Sequence, residues 1–217
     1  PNNSKRAAAH PSSDRAIAQA VRLGLDSVVH ASTLSKETCR MMAEKGTFLT
    51  PTLVVSHCND YLRKHGSPEW HLRKQEAAAR EHINSCRRAV EAGVTICTGT
   101  DLLPSDPIDG TTPTVREAEL LVEDVGMTPL QAIRAATRNG ADLCGILKET
   151  GTLEPGKLGD FIIVEGRPDQ NIRDLRNIRL ISKGCRLVKS DLPAITKQNF
   201  NPMMAGIPCD GGTFRLW

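Results

Sequence analysis

The fold class is decided by residues 14–30, which read DRAIAQAVRLGLDSVVH. Apolar side chains recur at helical spacing through Ile17 and Val21, and Gly24 marks the end of that helical pattern. Residues 27–30 follow as a short β-branched run that ends in a polar side chain. A helix that leads directly into a buried strand is half of a βα unit, so this stretch predicts an α/β protein with a parallel sheet.

The same alternation continues on both sides of this stretch. Ser35 is typical of a helix N-cap, and Gly46 is typical of a helix end. The predicted strands are residues 7–10, 47–50 and 94–101, and the predicted helices are residues 35–46 and 69–91. The first hundred residues therefore predict successive βα units of one sheet.

The pattern changes in the second half of the chain. Two helices are predicted at residues 114–125 and 128–138, and the second follows a Thr-Pro pair of the kind that caps a helix. Residues 160–164 and 180–188 are predicted strands of a separate antiparallel sheet, with a turn or bulge near Gly184. The C-terminal stretch is predicted to be a weakly ordered tail.

Composition excludes several classes of function. The chain has 217 residues and a net charge of +3, and its acidic and basic residues are interspersed. Only 3% of residues are aromatic, so stacking platforms for nucleic acid are not expected. No apolar run approaches the length of a membrane span, so we expect no membrane partner. The seven cysteines lack metal-knuckle spacing and predict reduced thiols, which favours a cytoplasmic location.

Three polar residues stand at the ends of predicted strands: His10, His30 and Asp101. Parallel sheets and barrels gather their functional groups at the carboxyl ends of the strands. Two imidazoles and a carboxylate are ligands that Zn²⁺ accepts, and a metal lowers the pKa of bound water towards about 7. Taken singly, each residue is also explained as a surface group or helix cap, but one fold places all three on the same rim.

The other histidines are given simpler interpretations. His57 and His65 lie in a polar segment and are predicted to be loop residues. His71 and His82 are eleven residues apart on the long helix, and we predict that this shared face is turned to solvent. Threonines near the strand ends, such as Thr98 and Thr100, are open to a role in binding substrate.

An ordered series of motifs runs along the chain: His10, GLDSVVH at 24–30, KGTFLTPTL at 45–53, AGV at 92–94 with GTD at 99–101, and AATRNGA at 135–141 with GTLEPGKLGD at 151–160. This series resembles the metal-dependent amidohydrolase superfamily, in the branch of imidazolonepropionase-like enzymes, Xaa-Pro dipeptidases and ochratoxin-hydrolysing amidases. It covers residues 7–190.

The resemblance implies the second half of a (β/α)8 TIM barrel, with strands 5–8 and their helices, and part of a C-terminal β-sandwich. The domain boundaries expected on this basis are 1–148 for the barrel, 149–190 for the sandwich and 191–217 for the tail. His10, His30 and Asp101 would end strands 5, 6 and 8. His10 and His30 would hold the more exposed metal, and Asp101 would contact the other metal and act as the catalytic proton acceptor.

The implied reaction is metal-dependent hydrolysis of a C–N bond in a small amide or dipeptide-like substrate. One or two divalent ions are expected, with Zn as the first choice and Mn, Ni or Fe left open. The family's His-x-His on strand 1 and its carboxylated Lys on strand 4 are not in this chain, and residue 1 is Pro rather than Met. We expect the missing half to lie upstream in a longer product or on another chain.

Two alternatives remain open at this point. The chain is either an inactive fragment, or a half-barrel that associates through its open sheet edge with an N-terminal half or with a second copy. Mononuclear deaminase-type chemistry on the same fold is a weaker possibility. Activity of this chain on its own is not expected, because two histidines and one carboxylate seldom suffice.

Overall fold

The first sheet is parallel, as the sequence predicts. The computed structural model describes residues 5–102, 107–193, 195–196 and 200. Strand β1 (Ala8–Ala9) pairs with β2 (Ser27–Val29), and β2 pairs with β3 (Phe48–Thr50). The strands are ordered β1-β2-β3 and run in one direction, so their carboxyl ends lie along one edge.

The helices between these strands begin and end at residues that favour helix termini. Helix α1 (Asp14–Arg22) follows Ser13, whose hydroxyl accepts the N–H of Ala16. Helix α2 (Lys36–Lys45) is capped by Ser35 and ends at Gly46, which has the left-handed conformation with φ of 69°. Both helices pack one apolar face on the sheet, which buries Ile17, Val21, Cys39 and Met42 completely. Full burial of each such side chain stabilises the fold by roughly 1.5–3 kcal/mol.

The fourth predicted strand, residues 94–101, forms only a single parallel bridge between Ile96 and Leu49. On its other side it meets a helix instead of a strand. The carbonyl of Ala135 accepts the N–H of Thr98 at 3.2 Å, and the Asn139 side chain donates to the carbonyl of Ile96 at 2.9 Å. On this side, helix groups therefore satisfy the backbone polar groups that a neighbouring strand would otherwise satisfy.

Three helices follow β3. The short helices α3 (Leu53–Ser56) and α4 (Asn59–Lys64) lead into α5 (Glu69–Glu91), whose bounds agree with the predicted long helix. The buried side of α5 includes Leu72, Ile83 and Cys86. Helix α5 packs against α2, α3 and α4 and so covers the sheet beside the ends of β2 and β3.

The next helical region starts close to its predicted position. Helix α6 (Pro113–Glu123) begins after the Thr112 cap, and α7 (Pro129–Arg134) begins with a capping box between Thr128 and Gln131. The chain then continues through a π-helical turn (Ala135–Asn139) into α8 (Gly140–Leu143). The π-helical turn holds the two groups that bind residues 96–98.

The second sheet is antiparallel and has three strands. It consists of β4 (Phe161–Val164), β5 (Ile178–Lys183) and β6 (Arg186–Ser190), with a 3-10 turn (Ile172–Arg176) before β5. The predicted turn lies at Gly184 and Cys185, and a register shift falls between Ile181 and Ser182. The 3-10 turn is tied to α6 by Arg176, whose guanidinium contacts the buried carboxylate of Glu119 at 2.5 Å and 2.7 Å.

The described part of the chain is a partial α/β domain whose strands do not close into a barrel. Among the described residues, no helix is both long and apolar enough to cross a bilayer. The six cysteines described form no disulfide with one another. Most of the predicted tail at 191–217 lies outside the described residues.

Candidate active site at the carboxyl ends of the strands

The three residues selected from the sequence lie together. His10 follows β1, His30 follows β2, and Asp101 follows the strand-like segment that pairs with β3. The ring centroids of the two histidines are 4.1 Å apart, and the Nε2 atom of His30 is 3.9 Å from Oδ2 of Asp101. The side chain of His30 is 17% exposed and that of Asp101 is 60% exposed, so the cluster opens to solvent.

The backbone turns sharply at the ends of these strands. His30, Ala31, Thr52 and Asp101 all have positive φ, at 64°, 55°, 54° and 52°. None of them is glycine, and each such conformation costs of order 1–3 kcal/mol. These four left-handed residues lie at three adjacent strand ends. We infer that the surrounding structure holds them in this conformation and so fixes the direction of their side chains.

Thr52 orients the ring of His30. Its hydroxyl oxygen lies 2.5 Å from Nδ1 of His30 and donates its own proton to the carbonyl of Pro51 at 2.6 Å. Because that proton is used, Nδ1 of His30 must donate to the threonine oxygen, which leaves the lone pair on Nε2. A lone pair on Nε2 that faces a carboxylate is favourable only with a cation between them, either a proton or a metal.

The surroundings of His30 favour the neutral imidazole. Burial lowers the pKa of His30, the neighbouring His10 lowers it further, and Asp101 opposes both effects. The net direction is downward, so at neutral pH the ring is mostly uncharged. A neutral imidazole is the form that binds metals.

Glu117 is a buried group that the sequence analysis missed. Its carboxylate on α6 is fully buried and accepts the backbone N–H groups of Leu53 at 3.0 Å and Val54 at 2.8 Å. Burial raises the pKa of Glu117 to about 8, although these hydrogen bonds lower it. The residue thus anchors the start of α3, directly after Thr52. The available signal was its helical spacing, because Glu117 lies three and four positions before Leu120 and Leu121 and so shares their face of the helix.

The prediction that His82 faces solvent is wrong. His82 is 3% exposed, its Nδ1 lies 2.9 Å from the hydroxyl of Ser56, and its Nε2 lies 3.0 Å from the carbonyl oxygen of His30. Burial lowers its pKa to about 4. His71 lies on the same face of α5 but nearer its start, and it is only half-buried. The burial of this face therefore changes along the helix. Periodicity places two residues on one face but does not say what covers each end of a long helix.

The remaining predicted residues make contacts with nearby backbone groups. His57 closes α3 and contacts the carbonyl of Leu53, and the exposed His65 closes α4. Thr100 binds the backbone of Leu102. Thr98 donates its backbone N–H to Ala135, so its contact holds the segment in place.

Comparison with known proteins identifies the family. Residues 2–212 match the sequence profile of the Amidohydrolase family, which is nearly the whole chain. This chain belongs to the amidohydrolase family.

Three relatives illustrate the extent of the match. Ochratoxinase of Aspergillus niger is 32% identical over 185 residues, which are 83% of this amidohydrolase and 37% of ochratoxinase. Its crystal structure matches with a TM-score of 0.73 and 31% identity, over 90% of this chain and 44% of that one. A Xaa-Pro dipeptidase structure with bound methionine in its active site gives a TM-score of 0.71 and 30% identity, over 82% and 43%.

Imidazolonepropionase of Geobacillus kaustophilus is 39% identical over a shorter stretch of 77 residues, 36% of this chain and 18% of that enzyme. In each comparison this amidohydrolase spans less than half of the relative's length. Its structural matches are to proteins of a TIM-barrel-type family, and the described strands form one open part of such a fold.

The donor chemistry of this amidohydrolase suits a divalent metal, but the donor geometry is incomplete. Two ligands of a tetrahedral ion with bonds of about 2.1 Å lie about 3.4 Å apart. The 3.9 Å between Nε2 of His30 and Oδ2 of Asp101 is wider than this, as it would be if the two groups contacted different ions. Within the described ranges, no group of three or more His, Cys, Asp or Glu side chains is arranged to hold a metal ion. The residues present therefore fit part of a metal site.

Proposed function

We propose that this chain supplies one half of the active site of a metal-dependent amidohydrolase that cleaves a C–N bond. The observation that carries the proposal is the convergence of His10, His30 and Asp101 at adjacent strand ends, with 3.9 Å between His30 Nε2 and Asp101 Oδ2. Membership of the amidohydrolase family supports it. Residues 1–148 are assigned to the barrel half, 149–190 to a β-sandwich segment and 191–217 to a tail.

His10, His30 and Asp101 would be the metal ligands that this chain contributes. One or two divalent ions, with zinc as the first choice, would polarise the scissile carbonyl and favour deprotonation of the attacking water. The neutral ring of His30 presents Nε2, because Thr52 engages its Nδ1. Further ligands would have to come from residues outside the described ranges or outside this chain.

Asp101 is the proposed proton carrier. As water oxygen bonds to the amide carbon, Oδ2 of Asp101 accepts a proton from it. As the C–N bond breaks, the same oxygen returns the proton to the leaving nitrogen, so the carboxylate is regenerated. The side chain of Asp101 is 60% exposed beside His30, which leaves room for a substrate and water.

The proposed substrates are small amides or dipeptide-like molecules. This class is supported by the names of the relatives, which include an ochratoxinase and a Xaa-Pro dipeptidase. A panel for testing therefore contains N-acyl amino acids and Xaa-Pro dipeptides, each assayed with and without added zinc.

The test is Asp101→Asn in the complete natural protein. Asparagine keeps the size of the side chain but cannot accept the proton, so we expect kcat to fall by at least about a hundredfold. The midpoint of urea unfolding should stay within error because the side chain is largely exposed. Asp60→Asn is the matched control, since Asp60 is an exposed carboxylate that pairs with Arg63 on α4. Unchanged turnover in Asp101→Asn would rule out the assigned role.

A second candidate is that this chain is inactive alone and acts only as a half-barrel bound to a complementing half or a second copy. The open parallel sheet and the exposed apolar side chains of Leu153, Ile162 and Ile163 favour association. The intact mass of the natural product separates the cases. A mass well above 23.6 kDa supports a complete active site on one chain, and a mass of 23.6 kDa supports a complementing partner.

The number of metal ions bound per protein distinguishes amide hydrolysis at a two-metal centre from deamination at a single metal. Two ions per active protein support the amidase mechanism with a paired centre, whereas one ion and release of ammonia from an amino-substituted ring support a deaminase-type reaction on the same fold.

A further inference from the structure

Helix α5 donates two hydrogen bonds to the two left-handed residues that follow β2. The Nε2 atom of His82 lies 3.0 Å from the carbonyl oxygen of His30, and the hydroxyl of Ser85 donates to the carbonyl oxygen of Ala31 at 2.6 Å. The donors are three residues apart and share one helix face. Both are buried, with 3% of His82 and none of Ser85 exposed.

The acceptors are in a conformation that needs support. His30 and Ala31 have φ of 64° and 55°, and two consecutive left-handed residues that are not glycine are disfavoured in a free loop. Besides these contacts, the N–H of His30 donates to the carbonyl of Thr50 at 2.9 Å, and the N–H of Ala31 donates to the carbonyl of Val29 at 2.9 Å. Neither of these bonds engages the carbonyls of His30 and Ala31, for which His82 and Ser85 supply the donors.

The protons on His82 can be assigned from its neighbours. The carbonyl of His30 has no proton to give, so Nε2 of His82 must carry one and donate it. The neutral ring then has a lone pair on Nδ1, which lies 2.9 Å from the hydroxyl of Ser56, and the single proton of that hydroxyl is shared between Nδ1 and the carbonyl of Leu53 at 3.0 Å. His82 therefore has a partner at each ring nitrogen, and its ring plane is fixed between α3 and the end of β2.

We propose that His82 and Ser85 are positioning residues that hold the backbone of His30 and Ala31 in the left-handed turn and thereby aim the His30 ring towards Asp101. Neither residue contacts the substrate or reacting atoms in this account. The role of the oriented His30 ring in metal binding rests on the proposed function. The support of the turn by His82 and Ser85 does not.

Two substitutions of His82 separate positioning from simple packing. The amide nitrogen of Gln lies near the place of Nε2, so His82→Gln keeps a donor for the His30 carbonyl. The shorter His82→Asn keeps the contact with Ser56 but does not reach His30. Both variants bury an amide of similar size, so a purely structural role predicts similar losses of stability for the two. His71→Asn, on the half-buried part of α5, is the control.

The first measurement is made on the metal-free protein by NMR. Backbone chemical shifts and HN–Hα couplings of His30 and Ala31 report whether φ stays positive. We expect wild type, His82→Gln and His71→Asn to keep positive φ, and His82→Asn and Ser85→Ala to shift towards negative values. Native values for both residues in the folded His82→Asn and Ser85→Ala variants would overturn the proposal. If His82→Asn does not fold, Ser85→Ala decides, because it removes one buried hydroxyl only.

The second measurement is the affinity of the complete natural protein and its variants for Zn²⁺ alone, by competition with a chelator. Groups behind a metal ligand typically change affinity by about 10–100-fold. We expect His82→Asn to weaken binding by at least about tenfold and His82→Gln to stay within about threefold of wild type. If the wild type itself binds no zinc, the proposed function fails, and the backbone values still decide the positioning role. Equal zinc affinity in the Gln and Asn variants would contradict the inference.

Discussion

The Nδ1 atom of His30 lies 2.5 Å from the hydroxyl oxygen of Thr52, so the second residue after β3 orients the imidazole at the end of β2. The contact joins neighbouring strands at their carboxyl ends. It also determines the tautomer, because the threonine proton goes to the carbonyl of Pro51. The nitrogen that we propose as the metal ligand is therefore selected by a residue that would not itself bind the metal.

Replacing this hydroxyl should weaken metal binding. Thr52→Val keeps the β-branched shape at a position with φ of 54°, so the backbone strain is similar and the change removes the two hydrogen bonds of the hydroxyl, with His30 and with Pro51. We expect zinc affinity to fall about tenfold or more, and the free energy of unfolding to fall by about 1 kcal/mol. A chelator competition titration and urea unfolding measure the two effects.

Thr47→Val is the matched control for that variant. Thr47 is also buried and donates its hydroxyl to the carbonyl of Leu25 at 3.3 Å, but it lies just before β3, at the opposite end of the sheet. It should lose similar stability with no change in zinc affinity. Equal affinities in the two variants would show that Thr52 does not select the ligand nitrogen.

Gly99 should be essential because β3 passes close to it. A Cβ atom at this position would lie 2.5 Å from Cγ2 of Thr50, which is a clash with a stiff β-branched side chain. We expect Gly99→Ala to destabilise the fold by about 1–3 kcal/mol and to displace Asp101, two residues later, with loss of activity.

A second substitution at Thr50 should relieve this clash and restore stability. Thr50→Ser removes the Cγ2 atom, so Gly99→Ala with Thr50→Ser should recover most of the lost stability in urea unfolding. Thr50→Ser alone should have little effect. If the double variant is no more stable than Gly99→Ala, close contact with Thr50 is not the reason for glycine at this position.

Glu117 should give stability a dependence on pH. Its folded pKa of about 8 lies above the ordinary value of 4.5, so the folded protein binds more protons than the unfolded chain between these values. The contribution of this group to stability is therefore fully present below pH 4.5 and is lost as the pH rises through 8. Glu117→Gln removes this titration, so its free energy of unfolding should fall less between pH 5 and 8 than that of wild type.

Urea unfolding at several pH values measures that difference. Each unit of pKa shift corresponds to about 1.4 kcal/mol. Between pH 5 and 8, the free energy of unfolding of wild type should therefore fall by several kcal/mol more than that of Glu117→Gln. Asp60→Asn is a suitable control, because Asp60 is exposed and its carboxylate pairs with Arg63 on the surface. Parallel curves for wild type and Glu117→Gln would contradict the assignment.

The positions of the site residues were predictable because they depend on strand ends. The sequence indicates where β1 and β2 stop, and parallel strands then bring His10 and His30 together. The long helix α5 was predictable from its apolar stripe and its end before Gly93. These features depend on local pattern and on one general rule of parallel sheets.

The supporting groups were not predictable, because each depends on contacts between distant parts of the chain. Glu117 lies more than sixty positions from the N–H groups that it binds, and His82 lies 52 positions from the carbonyl of His30. The segment at 94–101 has the composition of a strand, but it meets the π-helical turn at Ala135–Asn139 and forms only one bridge. Periodicity contains no information about such partners.

The most direct test of the account is to locate the metal in crystals of the complete natural protein grown with zinc. Anomalous difference maps collected above and below the zinc absorption edge identify the ion. The account predicts a peak about 2.1 Å from Nε2 of His30, with His10 or Asp101 as a second ligand from this chain. A fully active protein whose zinc lies away from all three residues would contradict it.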